Sequence, residues 1–396
     1  MKNKVSDTKF KLKSVSVAKL NLLVFLYSLV ANFAHPITPT FIKMLGLHDY
    51  MFGLAFACMA FTNFLFSPFW GKMASRYGAG KVFSLAFLGY GTMQFFFGFS
   101  TEEWQICLAR LGGGFFISAL SVCQMVYVIK NSEHSGRDLA ILATIGSVVS
   151  PFGFLIGGFL GDWSIKGTFI IQGIGLFVIS LIGNIILDDS DTEDAKFTLS
   201  EINPFTDFIR SKDLINGFVV VFLIMVTVSS FGSTCYDQCF NYYIKDQFNF
   251  PSSYNGILKA GVGFIALFAN SFITIRLLKT DTYRTISYVF AMLTLMLVGV
   301  VVVNDMIPFI IINIVFFGCN SIYLPLLQDF MTKKNADRSN EMVGLYNATR
   351  AIGMVVGSLF AGFIYGVHPK LSFVFAAVAF GLCVLLSLRH AKMAKA

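Results

Sequence analysis

The chain has 396 residues, of which 56% are hydrophobic and 13% are charged, and its mean hydropathy is +0.70. This composition excludes a water-soluble fold around one apolar core and indicates many membrane-spanning segments. The net charge of +8 does not indicate nucleic-acid binding, because the cations lie in connections between apolar runs, beside lipid headgroups. The sequence has no metal-ligand spacing, nucleophile triad or phosphate-binding loop, so we expect no enzyme activity, no metal and no cofactor.

Twelve apolar runs are long enough to cross a bilayer, which takes about 20 residues of helix. In chain order they are Leu20–Ile42, Tyr50–Trp70, Val82–Phe99, Trp104–Ile129, Leu139–Leu160, Gly167–Leu187, Leu214–Tyr243, Tyr254–Leu278, Ile286–Val303, Met306–Met331, Met342–Gly366 and Leu371–Leu388. We therefore predict an all-α membrane protein with twelve transmembrane helices.

The runs divide into two sets of six. The long connection after the sixth run has an acidic start and a proline at Pro204, which forbid a membrane span. We predict an N-terminal bundle over residues 1–187, a cytoplasmic linker over 188–213 and a C-terminal bundle over 214–396. Two six-helix bundles, with a binding site between them near the bilayer midplane, are typical of transporters built from parallel repeats.

The cations predict the orientation, because membrane proteins keep Lys and Arg on the cytoplasmic side. With a cytoplasmic N-terminus, 23 of the 30 Lys and Arg residues fall in cytoplasmic segments and four fall outside. The outer four are Lys43, Lys166, Lys245 and Lys370, and Arg110, Lys259 and Arg350 lie within runs. We therefore expect both termini in the cytoplasm.

The connection between the second and third runs, GKMASRYGAGK, holds three glycines and three cations where a simple turn would suffice. It resembles the signature loop of the major facilitator superfamily, G-x-L-A-D-R-x-G-R-K. Four residues match the signature in place, namely Gly71, Ala74, Arg76 and Gly78. Lys81 lies one position beyond the usual basic residue, and Ser75 replaces the usual Asp. The resemblance implies that Gly71, Arg76, Gly78 and Lys81 form a conformational latch at the cytoplasmic helix ends. Alternatively, the cations only set the topology.

Three further motifs resemble those of this superfamily, and two of the three resemble motifs of its twelve-helix drug:proton antiporters. Arg110 and Gly114 in the fourth run are similar to an R-x-x-x-G signature, and Pro36 and Pro39 in the first run are similar to a P-x-x-P pattern. The fifth run carries GFLIGG, which resembles the antiporter motif G-P-x-x-G-G with Phe154 in place of its proline.

Small residues in two runs predict close helix packing. Gly153 and Gly157 in the fifth run, which Gly158 follows directly, recur 200 residues later as Gly353 and Gly357 in the eleventh. Glycines four residues apart allow two helix backbones to approach closely. We therefore expect these glycines and Gly114 to pack helices, and the spacing indicates a duplicated bundle.

Charged residues inside a membrane are costly and are therefore candidates for function. Asp237 in the seventh run is predicted to take and release a coupling proton, and the charge of Arg110 is predicted to tune its pKa. His35 in the first run is a second candidate for the proton site or a substrate ligand. The alternatives are that Asp237 is hydrated at the outer mouth and that His35 only hydrogen bonds to a helix carbonyl.

Polar residues in the first, seventh, tenth and eleventh runs predict a substrate cavity. Its candidate residues are Asn32, Gln238, Asn241, Asn320, Tyr346, Asn347 and Arg350. For Arg350 the alternative is a side chain that extends to the cytoplasmic interface.

These patterns predict a secondary transporter in a cell membrane that works by alternating access. The first hypothesis is proton-coupled efflux of a drug or metabolite. The alternative is proton-coupled uptake of a small metabolite or organic anion. The expected partners are a small-molecule substrate, protons and the lipid bilayer, with no nucleic acid, and we expect a monomer.

Overall fold

A computed structural model of the chain describes residues 2–187, 203, 215–334 and 339–395. Within these ranges the secondary structure is helical, without a strand, and twelve helices are long and apolar enough to cross a membrane. The twelve predicted transmembrane helices are therefore confirmed. The predicted linker over 188–213 lies outside the described residues, apart from Asn203.

We number the membrane helices α1 to α12 and give an interrupted helix one number. Their bounds are α1 Lys2–Val30 and Ala34–Met44, α2 Met51–Tyr77, α3 Ala79–Phe99, α4 Glu103–Asn131, α5 Ser135–Trp163, α6 Ile165–Ile186, α7 Gly217–Asp246, α8 Ser252–Phe268 and Ile275–Leu277, α9 Thr282–Val302, α10 Met306–Lys334, α11 Ser339–Tyr365 and α12 Leu371–Lys395. The two parts of α8 are joined by a π-helical segment, Ala269–Thr274.

Two compact units make up the chain. Unit 1 comprises 1–38, 62–204 and 251–260, and unit 2 comprises 39–61, 205–250 and 261–396. In unit 1, α3 packs against α4 and α6, and α1 packs against α5 and α6. In unit 2, α9 packs against α10 and α12, and α7 packs against α11 and α12. These four pairings of unit 1 thus recur six helices further along the chain in unit 2. The division into bundles at 187 and 214 stays a prediction.

The repeated glycines lie at the closest of these contacts. A Cβ atom added to Gly153 or Gly157 of α5 would collide with the carbonyl oxygen of Leu29 or Phe33 in α1. A Cβ atom added to Gly353 or Gly357 of α11 would collide in the same way with the carbonyl oxygen of Thr227 or Phe231 in α7. The fifth helix of each set of six therefore packs backbone to backbone on the first.

Gly158 makes a separate close approach within unit 1. An added Cβ atom there would lie 2.7 Å from the carbonyl oxygen of Ser252 and 3.0 Å from the Cα atom of Gly256 in α8. Gly114 is buried in α4.

The first helix is interrupted at Ala31–Phe33, where the backbone turns between its two parts. The interruption frees carbonyl groups, and the Gln172 side chain of α6 donates to the carbonyls of Val30 at 3.1 Å and Ala31 at 2.8 Å. The side-chain amide of Gln94 in α3 in turn donates to the side-chain oxygen Oε1 of Gln172 at 2.8 Å. Both glutamines are buried, so this chain of hydrogen bonds supplies partners that lipid cannot provide.

The turn between α2 and α3 is shorter than the sequence suggested. The second helix does not end at Trp70 but continues to Tyr77, and Gly78 alone separates it from α3. Gly78 has φ 96° and ψ 131°, a backbone conformation that favours glycine. Of the predicted latch residues, Gly71 is therefore within α2 and only Gly78 forms the turn.

We expect alanine at Gly157 or Gly357 to destabilise the fold by about 1–3 kcal/mol, because a rigid backbone must move to admit the new methyl group. Alanine at Gly146, on the same helix as Gly157, is the matched control, since its Cβ atom would lie 3.8 Å from the nearest neighbour, Ser28 Oγ. Thermal unfolding of the purified variants measures the difference. Equal stability of the Gly157 and Gly146 variants would contradict the packing role.

We expect Gln172→Leu to lower stability by about 1–3 kcal/mol, because it removes a buried side-chain donor that bonds the carbonyls of Val30 and Ala31. Gln124→Leu in α4 is the control, since Gln124 makes no side-chain hydrogen bond to any residue that the structure describes. The same unfolding measurement applies, and a Gln172 variant as stable as the control would exclude this role.

Candidate functional site

A cavity of about 230 Å³ lies within unit 2. Helices α7, α10 and α11 supply most of its wall, with one residue each from α2 and α8. The lining residues are Phe56, Ser230, Ser233, Thr234, Asp237, Gln238, Val262, Phe317, Asn320, Tyr323, Leu324, Arg350 and Met354.

One face of α7 carries most of the polar lining. Ser230, Ser233, Asp237 and Gln238 recur at helical spacing, which places them on the same side of α7. The Ser233 hydroxyl donates to Asn320 Oδ1 of α10 at 3.2 Å. The Gln238 amide lies 3.4 Å from Asp237 Oδ2. The cavity thus joins one carboxylate to several neutral hydrogen-bonding groups.

Arg350 of α11 lines the same cavity and is half-buried. It forms no hydrogen bond or ion pair with another residue of the described part of the chain. The phenol groups of Tyr323 and Tyr346 lie close enough to interact electrostatically with its guanidinium group. A guanidinium group presents five donors, so Arg350 has free capacity to bind an anion here.

The other predicted cavity residues lie elsewhere. Asn241 is buried and donates to the backbone carbonyl of Asp237 at 2.8 Å. Tyr346 is buried and Asn347 is exposed, and neither lines the cavity. Asn32, in unit 1, donates to the Ser28 carbonyl at 2.6 Å and to Ser150 Oγ at 3.0 Å. Of the seven residues, Gln238, Asn320 and Arg350 thus lie together.

Arg110 and His35 belong to unit 1, whereas Asp237 belongs to unit 2. Arg110 is buried, donates to Thr38 Oγ1 at 3.1 Å and lies over the Phe97 ring at 4.0 Å from its centroid. His35 meets the Phe154 ring edge to face, with centroids 5.7 Å apart. Coupling of either residue to Asp237 stays a prediction.

The predicted latch cations are exposed at the ends of α2 and α3. The guanidinium of Arg76 lies 5.4 Å from the centre of the Tyr77 ring, and Lys81 is exposed in the first turn of α3. Their role in a latch stays a prediction.

A network of charged and phenolic side chains in unit 2 was missed at the sequence level. Lys43, at the end of α1, pairs with Asp246 at the end of α7 and lies 3.5 Å from Asp49. The Tyr365 hydroxyl donates to Asp246 at 2.7 Å, and the Tyr242 hydroxyl donates to Asp49. We call these five residues the Lys43 network. A signal for this network was present in the sequence, because Lys43, Asp49 and Asp246 all lie near helix ends on the predicted outer side of the membrane.

The comparisons with known proteins agree on the family. The sequence matches the model of the Major Facilitator Superfamily over residues 20–340. It is similar to Quinolone resistance protein NorA of Staphylococcus aureus (strain COL), at 24% identity over 354 residues, covering 87% of this chain and 88% of that protein. It is similar to Multidrug resistance protein 1 of Bacillus subtilis (strain 168), at 21% identity over 399 residues, covering 95% and 96%.

Among solved structures, the chain resembles a mutant form of the nucleoside transporter NupG. The TM-score is 0.80 at 11% identity, and the match covers 94% of this chain and 99% of that one. At such low identity the likeness shows the shared fold.

We expect a double-mutant cycle with Lys43→Met and Asp246→Asn to give a coupling energy of about 1 kcal/mol, because the pair is only partly exposed and is held by neighbouring groups. Arg284 and Asp281 are the control pair, at 3.7 Å and with more exposed side chains. Their coupling in the same unfolding assay should be close to zero. A Lys43–Asp246 coupling no larger than the control would show that the network contributes nothing to stability.

Proposed function

Because the chain belongs to the Major Facilitator Superfamily, we propose that it exports a small molecule across the cell membrane in exchange for protons. The chain is a multi-pass transporter of the cell membrane and not an enzyme. Direction and coupling are the proposed part.

The cavity in unit 2 is the observation that carries the proposal. It brings Asp237 together with the neutral polar groups of Gln238, Asn320 and Ser233. A carboxylate in such a site holds either a proton or a substrate cation, since binding either one removes the charge that attracts the other. This exclusion is the chemical requirement for exchange of substrate against protons. Arg110 and His35 are proposed as further proton-coupling residues.

The relatives support efflux as the direction of transport. Two curated relatives carry the names quinolone resistance protein and multidrug resistance protein, and both align over most of their length. Resistance by a membrane transporter follows when a toxic compound is moved out of the cell. Gly71, Arg76, Gly78 and Lys81 are proposed to latch one conformation of the transport cycle.

Uptake of a small metabolite together with protons is the second candidate. The observation that favours it is Arg350, a cation that lines the same cavity and suits an organic anion. The cavity volume, below the range of about 300–1,000 Å³ typical of drug pockets, also suits a small metabolite.

We expect Asp237→Asn to abolish proton-driven transport of ethidium in proteoliposomes and also to weaken exchange of labelled for unlabelled ethidium, because the same carboxylate is proposed to bind the cation. The amide keeps the shape of the side chain but cannot take up a proton. The measurement is movement of ethidium, a lipophilic cation, after the outer medium is acidified so that protons run inward. Asp305→Asn is the control, because Asp305 is an exposed residue outside the cavity.

The outcome of this transport assay distinguishes the antiporter from the symporter. Ethidium efflux driven by the gradient supports the antiporter, whereas accumulation of a labelled metabolite inside supports the symporter. Undiminished gradient-driven transport by the Asp237 variant would remove this residue from the coupling mechanism.

A further inference from the structure

Two polar side chains on the wall of the cavity in unit 2 find no hydrogen-bond partner in the described part of the chain, Arg350 on α11 and Ser230 on α7. We propose that these two residues form a subsite that binds one carboxylate group. The subsite requires neither a direction of transport nor a coupling ion, so the inference goes beyond the proposed function.

Arg350 supplies the charge of the subsite. It lies within the membrane span Met342–Tyr365 and bonds to no other residue that the structure describes. A charge inside a membrane is costly unless a partner satisfies it. A guanidinium group binds a carboxylate through two parallel hydrogen bonds, a geometry that the ammonium group of lysine does not reproduce. A pair of anionic oxygens is therefore the partner that suits Arg350 best.

Ser230 supplies a neutral donor. The residue is only 3% exposed, and its Oγ atom has no hydrogen-bond partner among the described residues. Neighbouring hydroxyls of α7 do have one. The Thr227 hydroxyl donates to the carbonyl of Leu223 at 3.0 Å, and the Ser229 hydroxyl donates to the carbonyl of Val226 at 3.1 Å. A buried hydroxyl without a partner is unfavourable, and because Ser230 lines the cavity, a ligand can accept its hydrogen bond.

The packing of α7 on α11 brings the two residues to the same end of the cavity. Ser230 lies against Gly353, since a Cβ atom added to that glycine would be 2.9 Å from Ser230 Cβ. Arg350 precedes Gly353 by three residues, so it lies on the same face of α11 about one turn away. An arginine side chain is long enough to cover this distance. The guanidinium and the hydroxyl can therefore contact one head group.

Asp237 lies toward the opposite end of the cavity. The glycine contacts run in the same order along α7 and α11, so the two helices point in the same direction. Asp237 follows Ser230 by seven residues on α7, whereas Arg350 precedes Gly353 by three residues on α11. At 1.5 Å per residue, these ten residues correspond to roughly 15 Å along the helix axis. A carboxylate bound at Arg350 is therefore not forced against the carboxylate of Asp237.

Two kinds of molecule can supply the bound carboxylate. In the uptake candidate it belongs to the transported anion, and in the export candidate it belongs to a small acid that binds beside the transported cation. The cavity volume of about 230 Å³ limits the ligand to a small molecule, and the rings of Phe317 and Tyr323 on its wall suit a flat body. Benzoate is therefore a suitable probe, and benzamide is its neutral counterpart of the same shape.

Binding of these two probes to the purified full-length protein tests the subsite without a proton gradient. Ligand-observed NMR titrations at neutral pH, where benzoate is ionised, give both dissociation constants. We expect benzoate to bind about tenfold more tightly than benzamide, because only the carboxylate forms charge-assisted hydrogen bonds with Arg350. Equal affinity for the two probes would overturn the proposal.

Variants assign the two contacts. Arg350→Met and Arg350→Gln should each remove the preference for benzoate, and Arg350→Lys should restore part of it. Two uncharged replacements are used so that poor folding of one does not decide the result. Ser230→Ala should weaken benzoate binding about threefold to tenfold. Ser229→Ala is the matched control, because the adjacent hydroxyl is bonded to the Val226 carbonyl and lies outside the cavity.

An undiminished preference for benzoate in the uncharged Arg350 variants would exclude the arginine from the subsite. Equal effects of the two serine substitutions would exclude Ser230. Ethidium binding with and without saturating benzoate then distinguishes the two sources of the carboxylate. An acid bound beside a cation leaves the affinity for ethidium unchanged or raises it, whereas a carboxylate of the transported molecule competes with ethidium and lowers it.

The subsite and the proposed function fail separately, because binding is measured without a gradient. Benzoate binding that depends on Arg350, without proton-driven efflux of ethidium, would retain the subsite and exclude proton-coupled export of this cation. Proton-driven efflux of ethidium with no preference for benzoate over benzamide would retain the proposed function and exclude the subsite.

Discussion

Inside a bilayer no water is available to bond a free backbone carbonyl or to hydrate a charge, so the protein must supply every partner itself. The interrupted first helix shows how this constraint is met. The Val30 carbonyl accepts from the Phe33 N–H at 3.2 Å, and the buried Gln172 side chain of α6 adds a donor for the carbonyls of Val30 and Ala31. The buried glutamines of α3 and α6 are thereby explained as structural groups of unit 1, and they need no transport role.

Charged groups within the helices differ in the contacts that the fold gives them. Arg110 donates to a hydroxyl at 3.1 Å and lies over an aromatic ring at 4.0 Å. Lys43 is paired with carboxylates at the helix ends. Arg350, by contrast, lines a cavity and bonds to no other described residue. The donors of the Arg350 guanidinium are therefore available to a ligand in this cavity.

The sequence predicts the helices well because bilayer thickness fixes their length and apolar character. It also predicts the packing glycines, since Gly153 and Gly157 recur as Gly353 and Gly357. The break at Ala31–Phe33 was not predicted, although Pro36 is a signal for it, because proline has no N–H to bond the carbonyl of Asn32 four residues earlier. The extension of α2 to Tyr77 was hidden by polar residues that end the apolar run but continue the helix.

For the site, the sequence identifies the charged residues but not their neighbours. Asp237 and Arg350 stand out in apolar runs, whereas Ser230, Ser233 and Tyr323 have no signal of their own and become recognisable only when α7, α10 and α11 are placed together. Comparison with the relatives does not identify the substrate either, because one fold can transport many substrates. At 24% identity, the few residues that contact the substrate are free to differ between the proteins. The names of the resistance proteins therefore do not give the substrate class of this chain, which depends on the side chains that line its own cavity.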